Sequence, residues 1–137
     1  MAARKRVAVE MVGHTLVVVH GATHPSDDDW AIYLDALRRD GAAMHAQLVV
    51  TEGGTPTSAQ RKASLELAQL WDQTPPTAVV TSSILARGAV TALSWFMKER
   101  IRAFAPAEFG DACLFIGAGS DETALREAVT RLRATLQ

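Results

Sequence analysis

Short apolar runs rich in β-branched residues alternate along this chain with stretches whose apolar residues recur at helical spacing. That alternation limits the folds open to the chain more than any motif does. Val7, Val9 and Met11 alternate, Val12-Gly13-His14 supplies a turn, and Leu16-Val17-Val18-Val19 is a continuous apolar run. The first segment reads as an edge strand and the second as a strand buried on both faces. Leu48-Val49-Val50, Thr77 to Val80 and Ile101 to Ala105 read as three further strands. The spacing predicts helices between them. One starts at Ser26 or Asp27, carries Trp30, Tyr33, Leu34 and Leu37 on one side and ends at Gly41. Its first turn holds Asp27, Asp28 and Asp29 and its last turn Arg38 and Arg39, the order that suits the helix dipole. Another follows Thr81-Ser82-Ser83, with Leu85, Ala89, Ala92, Leu93 and Phe96 sharing a side. Pro106 opens a short helix through Phe109, Ala112, Cys113 and Ile116. After Gly117-Ala118-Gly119, an amphipathic helix carries Leu125, Ala128, Val129, Leu132 and Leu136. A hairpin followed by strands and helices in alternation predicts an α/β domain. Its sheet is mainly parallel, with four to five strands, an antiparallel N-terminal edge strand and flanking helices.

The stretch from Gln47 to Trp71 organises the rest. Its strand stops at Gly53-Gly54, and a helix begins at Thr57 or Ser58. With Thr57 as the cap, Gln60 stands at the third helical position, where a capping box places a glutamine. Ala63, Leu67, Leu70 and Trp71 give that helix its apolar face. A strand, a turn crowded with hydroxyls and a helix start together make a site that suits an anion or a phosphoryl group. Gly53 and Gly54 are its candidate anion loop. The same residues also make an ordinary connection in which Thr57 and Ser58 only cap the helix.

With 137 residues, 48% hydrophobic and 21% charged, the chain can bury a core as one domain spanning residues 1–137. A formal net charge of -1 gives no support for a nucleic-acid partner. One cysteine, Cys113, excludes an internal disulfide and a multi-cysteine metal site. No apolar run approaches the roughly 20 residues that span a bilayer. No basic segment followed by an apolar region opens the chain, so no signal peptide is expected and the cytoplasm is the expected location.

Few residues suggest chemistry. His20 and His24 with Asp27 or Asp28 could be offered to zinc, but loop histidines beside an acidic capping turn explain the same residues, and no metal or other cofactor is expected. Ser82 and Ser83 follow a strand without the Gly-x-Ser-x-Gly pattern of a nucleophile turn, and no catalytic residue can be named. Trp95 and Phe96 point in adjacent directions, so one of them should face outward. With Lys98, Arg100 and Arg102 as a rim they would form a contact surface for another protein, a second copy of the chain or an apolar ligand.

The element order, with the stretch ILARGAVTALSWFMKERIRAFAP and the strand, turn and helix after it, resembles the bacterial STAS and SpoIIAA-like domains, relatives of the anti-anti-sigma factors. The resemblance covers roughly Val7 to Ile116, and residues 120–137 form a helical extension beyond it. It implies a sheet flanked by helices on one side. It also implies a serine or threonine, in the loop entering the second helix, that a partner kinase phosphorylates. The matching residues are Thr55, Thr57 and Ser58, with Ser58 the closest counterpart. The function expected from the resemblance is a non-enzymatic signalling or regulatory domain that binds a kinase, a regulator or a second copy of itself. A carrier of a small apolar molecule or lipid is the alternative from another class.

Overall fold

The computed structural model describes residues 5–68, 75–94 and 100–136, and for 92–94 the backbone alone. Leu70, Trp71, Trp95, Phe96 and Lys98 lie outside the described residues, as do the contacts expected of them.

Five strands form one sheet in the order β1 (Val7–Val12), β2 (Thr15–His20), β3 (Ala46–Thr51), β4 (Thr77–Thr81) and β5 (Ile101–Phe104). β1 pairs antiparallel with β2, and the other neighbours are parallel. The β1–β2 turn is short because Gly13 takes φ 59°, which costs a residue without a Cβ little. The sequence places β1 at an edge and buries β2 completely, and both features are present.

Side chains alternate between two cores. Val7, Leu16 and Val18 pack on one face with Trp30, Tyr33, Ala36 and Leu37 of α1 (Asp27–Asp40). Leu67 of α2 (Ser58–Ala68) also packs against this core. α3 (Ile84–Ser94) packs against β4 and β5, and the right-handed sense that such crossovers take predicts it on the same face as α1 and α2. On the other face Val17, Val19, Leu48, Val50, Ala78, Val80 and Phe104 meet α4 (Phe109–Phe115) and α5 (Glu122–Ala134).

Helices therefore cover both faces, not the single face that the resemblance implied. The physical reason lies in the strands. Leu16–Val19, Leu48–Val50 and Ala78–Val80 are apolar at consecutive positions, so each face presents a row that must be removed from water. The buried stripe of α5, Leu125, Ala128, Val129 and Leu132, covers one of them. The C-terminal helix thus belongs to the core.

Local chemistry sets the helix ends. Ser26 Oγ accepts the Asp29 N–H at 3.1 Å while the Asp29 carboxylate accepts the Ser26 N–H at 3.0 Å, a reciprocal cap on α1. Burial alone would raise the Asp29 pKa, but the hydrogen bonds from Ser26 and the Arg6 N–H hold it below the ordinary carboxylate value. Tyr33 is pushed up to about 12 by burial, against the opposing effect of its 2.6 Å bond to Gln47 Oε1.

α3 departs from the expected apolar side. Leu85 is 88% exposed and Ala89 is also exposed, whereas Ala86 is buried and Val90 half-buried. Apolar residues stand on several sides of this helix, so periodicity does not select the inner one. The connection from β4 does: Thr81 Oγ1 accepts the Ser83 N–H and Ser83 Oγ accepts the Ala86 N–H, which sets where the helix starts and how it is rotated.

Candidate functional site

The carboxyl ends of β2, β3 and β4 form one rim, and the loops leaving them lead directly into α1, α2 and α3. β3 and β4 end in the same way. Thr51 Oγ1 accepts the Gly53 N–H and Thr81 Oγ1 accepts the Ser83 N–H, each a side-chain turn two residues long. A hydroxyl then caps each helix, Thr57 on α2 and Ser83 on α3.

Gly53 and Gly54 serve the turn. Gly53 takes φ 126°, a left-handed conformation that favours glycine. Gly54 donates its N–H to Gly21 O at 3.0 Å, and a Cβ there would stand 2.3 Å from Thr23 O and 2.7 Å from Gly21 O. Both glycine N–H groups are engaged, with Thr51 Oγ1 and Gly21 O respectively, so the pair's observed role is to bring two rim loops into contact.

The capping box read from the sequence is present. Gln60 N–H donates to Thr57 Oγ1 at 3.2 Å and Thr57 N–H donates to Gln60 Oε1 at 2.9 Å. Gln60 does more than the box requires. Its buried Nε2 donates to Pro25 O at 3.0 Å and to Asp27 Oδ1 at 3.1 Å, and its carbonyl accepts the Trp30 indole N–H at 2.9 Å. One side chain ties the start of α2 to the start of α1. His24 adds a second tie, donating from Nδ1 to Thr55 O at 2.6 Å.

The three candidate hydroxyls are thereby distinguished. Thr55 is half-buried beside His24, and Thr57 is occupied as the cap. Ser58 is exposed at the first helical position, and Arg61 donates to its Oγ at 3.1 Å and to Pro56 O at 3.3 Å. The N–H groups of Ser58 and Ala59 belong to the first turn, where the helix itself supplies no carbonyl partner. Arg61 was not singled out by sequence reading, although its place three residues after Ser58 is a spacing that brings side chains together on a helix.

His20 ends β2 and is buried against Trp30, with ring centroids 5.7 Å apart. Its Nδ1 is buried without a hydrogen-bond partner, and burial lowers its pKa to about 4. His24, by contrast, is exposed, so the pair considered for zinc is divided between the interior and the surface. Among the described residues no group of three or more His, Cys, Asp or Glu side chains could hold a metal ion. Cys113 is buried in the core, and burial, aided by Glu122, pushes its thiol up to about 11. A neutral thiol there acts as a small apolar group.

Of the expected aromatic surface only the rim residues Arg100 and Arg102 are described: Arg100 is half-buried and its carbonyl accepts the Thr77 N–H at 2.7 Å, while Arg102 is exposed with its guanidinium 5.4 Å from the centre of the Phe104 ring. A different apolar surface appears at the first turn of α3, where Ile84 is 76% and Leu85 88% exposed. Two consecutive aliphatic residues directly after a hydroxyl cap were the available signal. Among the described residues no helix is long and apolar enough to cross a membrane.

No family model matches the sequence, and no curated protein is similar to it. The structure is similar to that of a protein of the DUF3478 family from Shewanella loihica PV-4, described as having a SpoIIAA-like fold. The TM-score is 0.58 at 15% identity, and the match covers 85% of this chain and 97% of that one. The antiparallel first pair, the three parallel crossovers and the structural match together give this chain a SpoIIAA-like α/β fold.

Proposed function

We propose that this is a non-enzymatic regulatory domain of the cytoplasm that binds a partner protein at the rim of α2 and α3 and is switched by phosphorylation of Ser58. The observation that carries the reading is the division of labour between neighbouring hydroxyls. Thr57 holds the cap, while Ser58 is exposed with the Arg61 guanidinium 3.1 Å away. A phosphoryl group on Ser58 would carry about -1.5 to -2 charges into a helix start that already offers N–H groups and an arginine. The cap would stay in place, so the change is one of surface charge and not of fold. Ile84 and Leu85 open the next helix at the same end of the sheet and give the partner apolar area to bury. The partner is a kinase, a downstream regulator or a second copy of the chain.

The test is intact mass and peptide mapping of the protein purified gently from its own cells, followed by partner capture with Ser58→Ala, Ser58→Asp and Ile84→Ser with Leu85→Ser. The expected result is a phosphate on Ser58 and a capture pattern that differs between the two Ser58 variants and is lost in the apolar double variant. An unmodified Ser58 together with capture that ignores every variant would refute it. An apolar molecule retained only under native conditions, on a chain without phosphate, would favour the carrier function instead.

A further inference from the structure

The opposite end of the sheet, where β2 and β3 begin, holds a histidine pair that the rim does not involve. His14 closes the β1–β2 turn and His45 precedes β3, 31 residues later in the chain. The backbone holds the two together: His14 O accepts the His45 N–H at 2.8 Å and the Ala46 N–H at 3.3 Å. Their rings stack with centroids 4.2 Å apart and planes 16° from parallel, and both residues are exposed.

A flat side chain of another kind would stack as well, so the property peculiar to this pair is the imidazole lone pair. His14 Nδ1 faces Ala43 O at 3.0 Å. A carbonyl only accepts, so Nδ1 carries the proton and the lone pair of the neutral ring lies on Nε2. A carbonyl behind one ring nitrogen is the arrangement that orients metal-ligating histidines. Negative charge is close by. Asp121 Oδ2 lies 3.9 Å from where a Cβ on Gly13, the neighbour of His14, would stand.

We propose that His14 and His45 form a two-imidazole surface site for a divalent transition cation. Stacked rings do not share an ion as they stand, so binding requires the exposed His45 ring to turn about its Cβ–Cγ bond and bring a ring nitrogen to the ion at roughly 2.0 to 2.1 Å, the usual distance for nitrogen ligands. Water supplies the remaining ligands, since no third metal-binding side chain completes a group among the described residues. Two imidazoles and water suit copper(II) and nickel(II) best in the ordinary order of divalent affinities.

The experiment is calorimetric titration of the full chain, free of any added polyhistidine, with nickel(II) and copper(II) salts at about pH 7.5, a pH at which free imidazole is mostly neutral. The parent is compared with His14→Ala, His45→Ala and the control His24→Ala, each shown to be folded by circular dichroism. One saturable site per chain is expected in the parent and in His24→Ala, weakened about tenfold or more in either member of the pair. Binding in His45→Ala equal to the parent, an equal loss in His24→Ala, or no saturable binding in the parent would overturn the proposal.

Discussion

Acidification tests the buried end of β2. His20 is packed against Trp30 with an unpartnered Nδ1, and its pKa falls from 6.5 to about 4 because burial penalises the imidazolium. Its folded-state pKa is the lower one. The unfolded chain therefore takes up a proton below pH 6.5 that the folded chain does not, and the stability due to the neutral ring is lost as pH falls from 6.5 through 4. Each unit is worth about 1.4 kcal/mol, so the full effect is about 3 kcal/mol and the part lost by about pH 5 is about 2 kcal/mol. Urea unfolding followed by circular dichroism at about pH 8 and about pH 5 measures it, with a constant m-value as the condition for comparing stabilities. His20→Phe keeps a flat ring beside Trp30 and removes the titration. The parent should lose about 2 kcal/mol more than this variant over that interval. Asp29 does not interfere: its pKa is lowered from 3.8 in the folded chain, so its stabilising contribution is already in place above that pH and is lost only as pH falls further. Equal losses in parent and variant would refute the reasoning, because they would mean that His20 becomes protonated in place at little cost.

Two further predictions concern the rim. Gly54→Ala would bring a methyl group within 2.3 Å of Thr23 O, with backbone on both sides and no flexible side chain to give way, so a loss of several kcal/mol or failure to fold is expected in thermal unfolding. Thr57→Ala should cost about 1 kcal/mol by removing the cap of α2, while Ser58→Ala stays within about 0.5 kcal/mol, and chemical denaturation of the two variants separates the hydroxyl that caps the helix from the one that does not.

Much of the fold was legible because local chemistry and burial agreed. The uninterrupted Leu16–Val19 run required cover on both faces, Gln60 three residues after Thr57 marked a helix start, and Phe109, Ala112, Cys113 and Ile116 recurred at a spacing that one buried face explains. α3 was the exception. Its apolar residues surround the axis, so only the cap at Ser83 and the approach from β4 determine that Ala86 faces inward and Leu85 outward.

The candidate site was legible in part. Thr57 and Ser58 stood out as hydroxyls at a helix start, but their different roles depend on hydrogen-bond geometry, which composition does not carry. Gln60 reaching Pro25 and Asp27, Gly54 against Thr23, and His14 beside His45 are meetings of residues separated by some 30 positions.

The sequence by itself determined the order of strands and helices, their ends and the parallel character of the sheet, because periodicity, capping and chain breakers act over a few residues. Tertiary structure alone decided which histidine is buried and which apolar residues face outward. Those properties belong to surfaces that exist only once distant segments have packed.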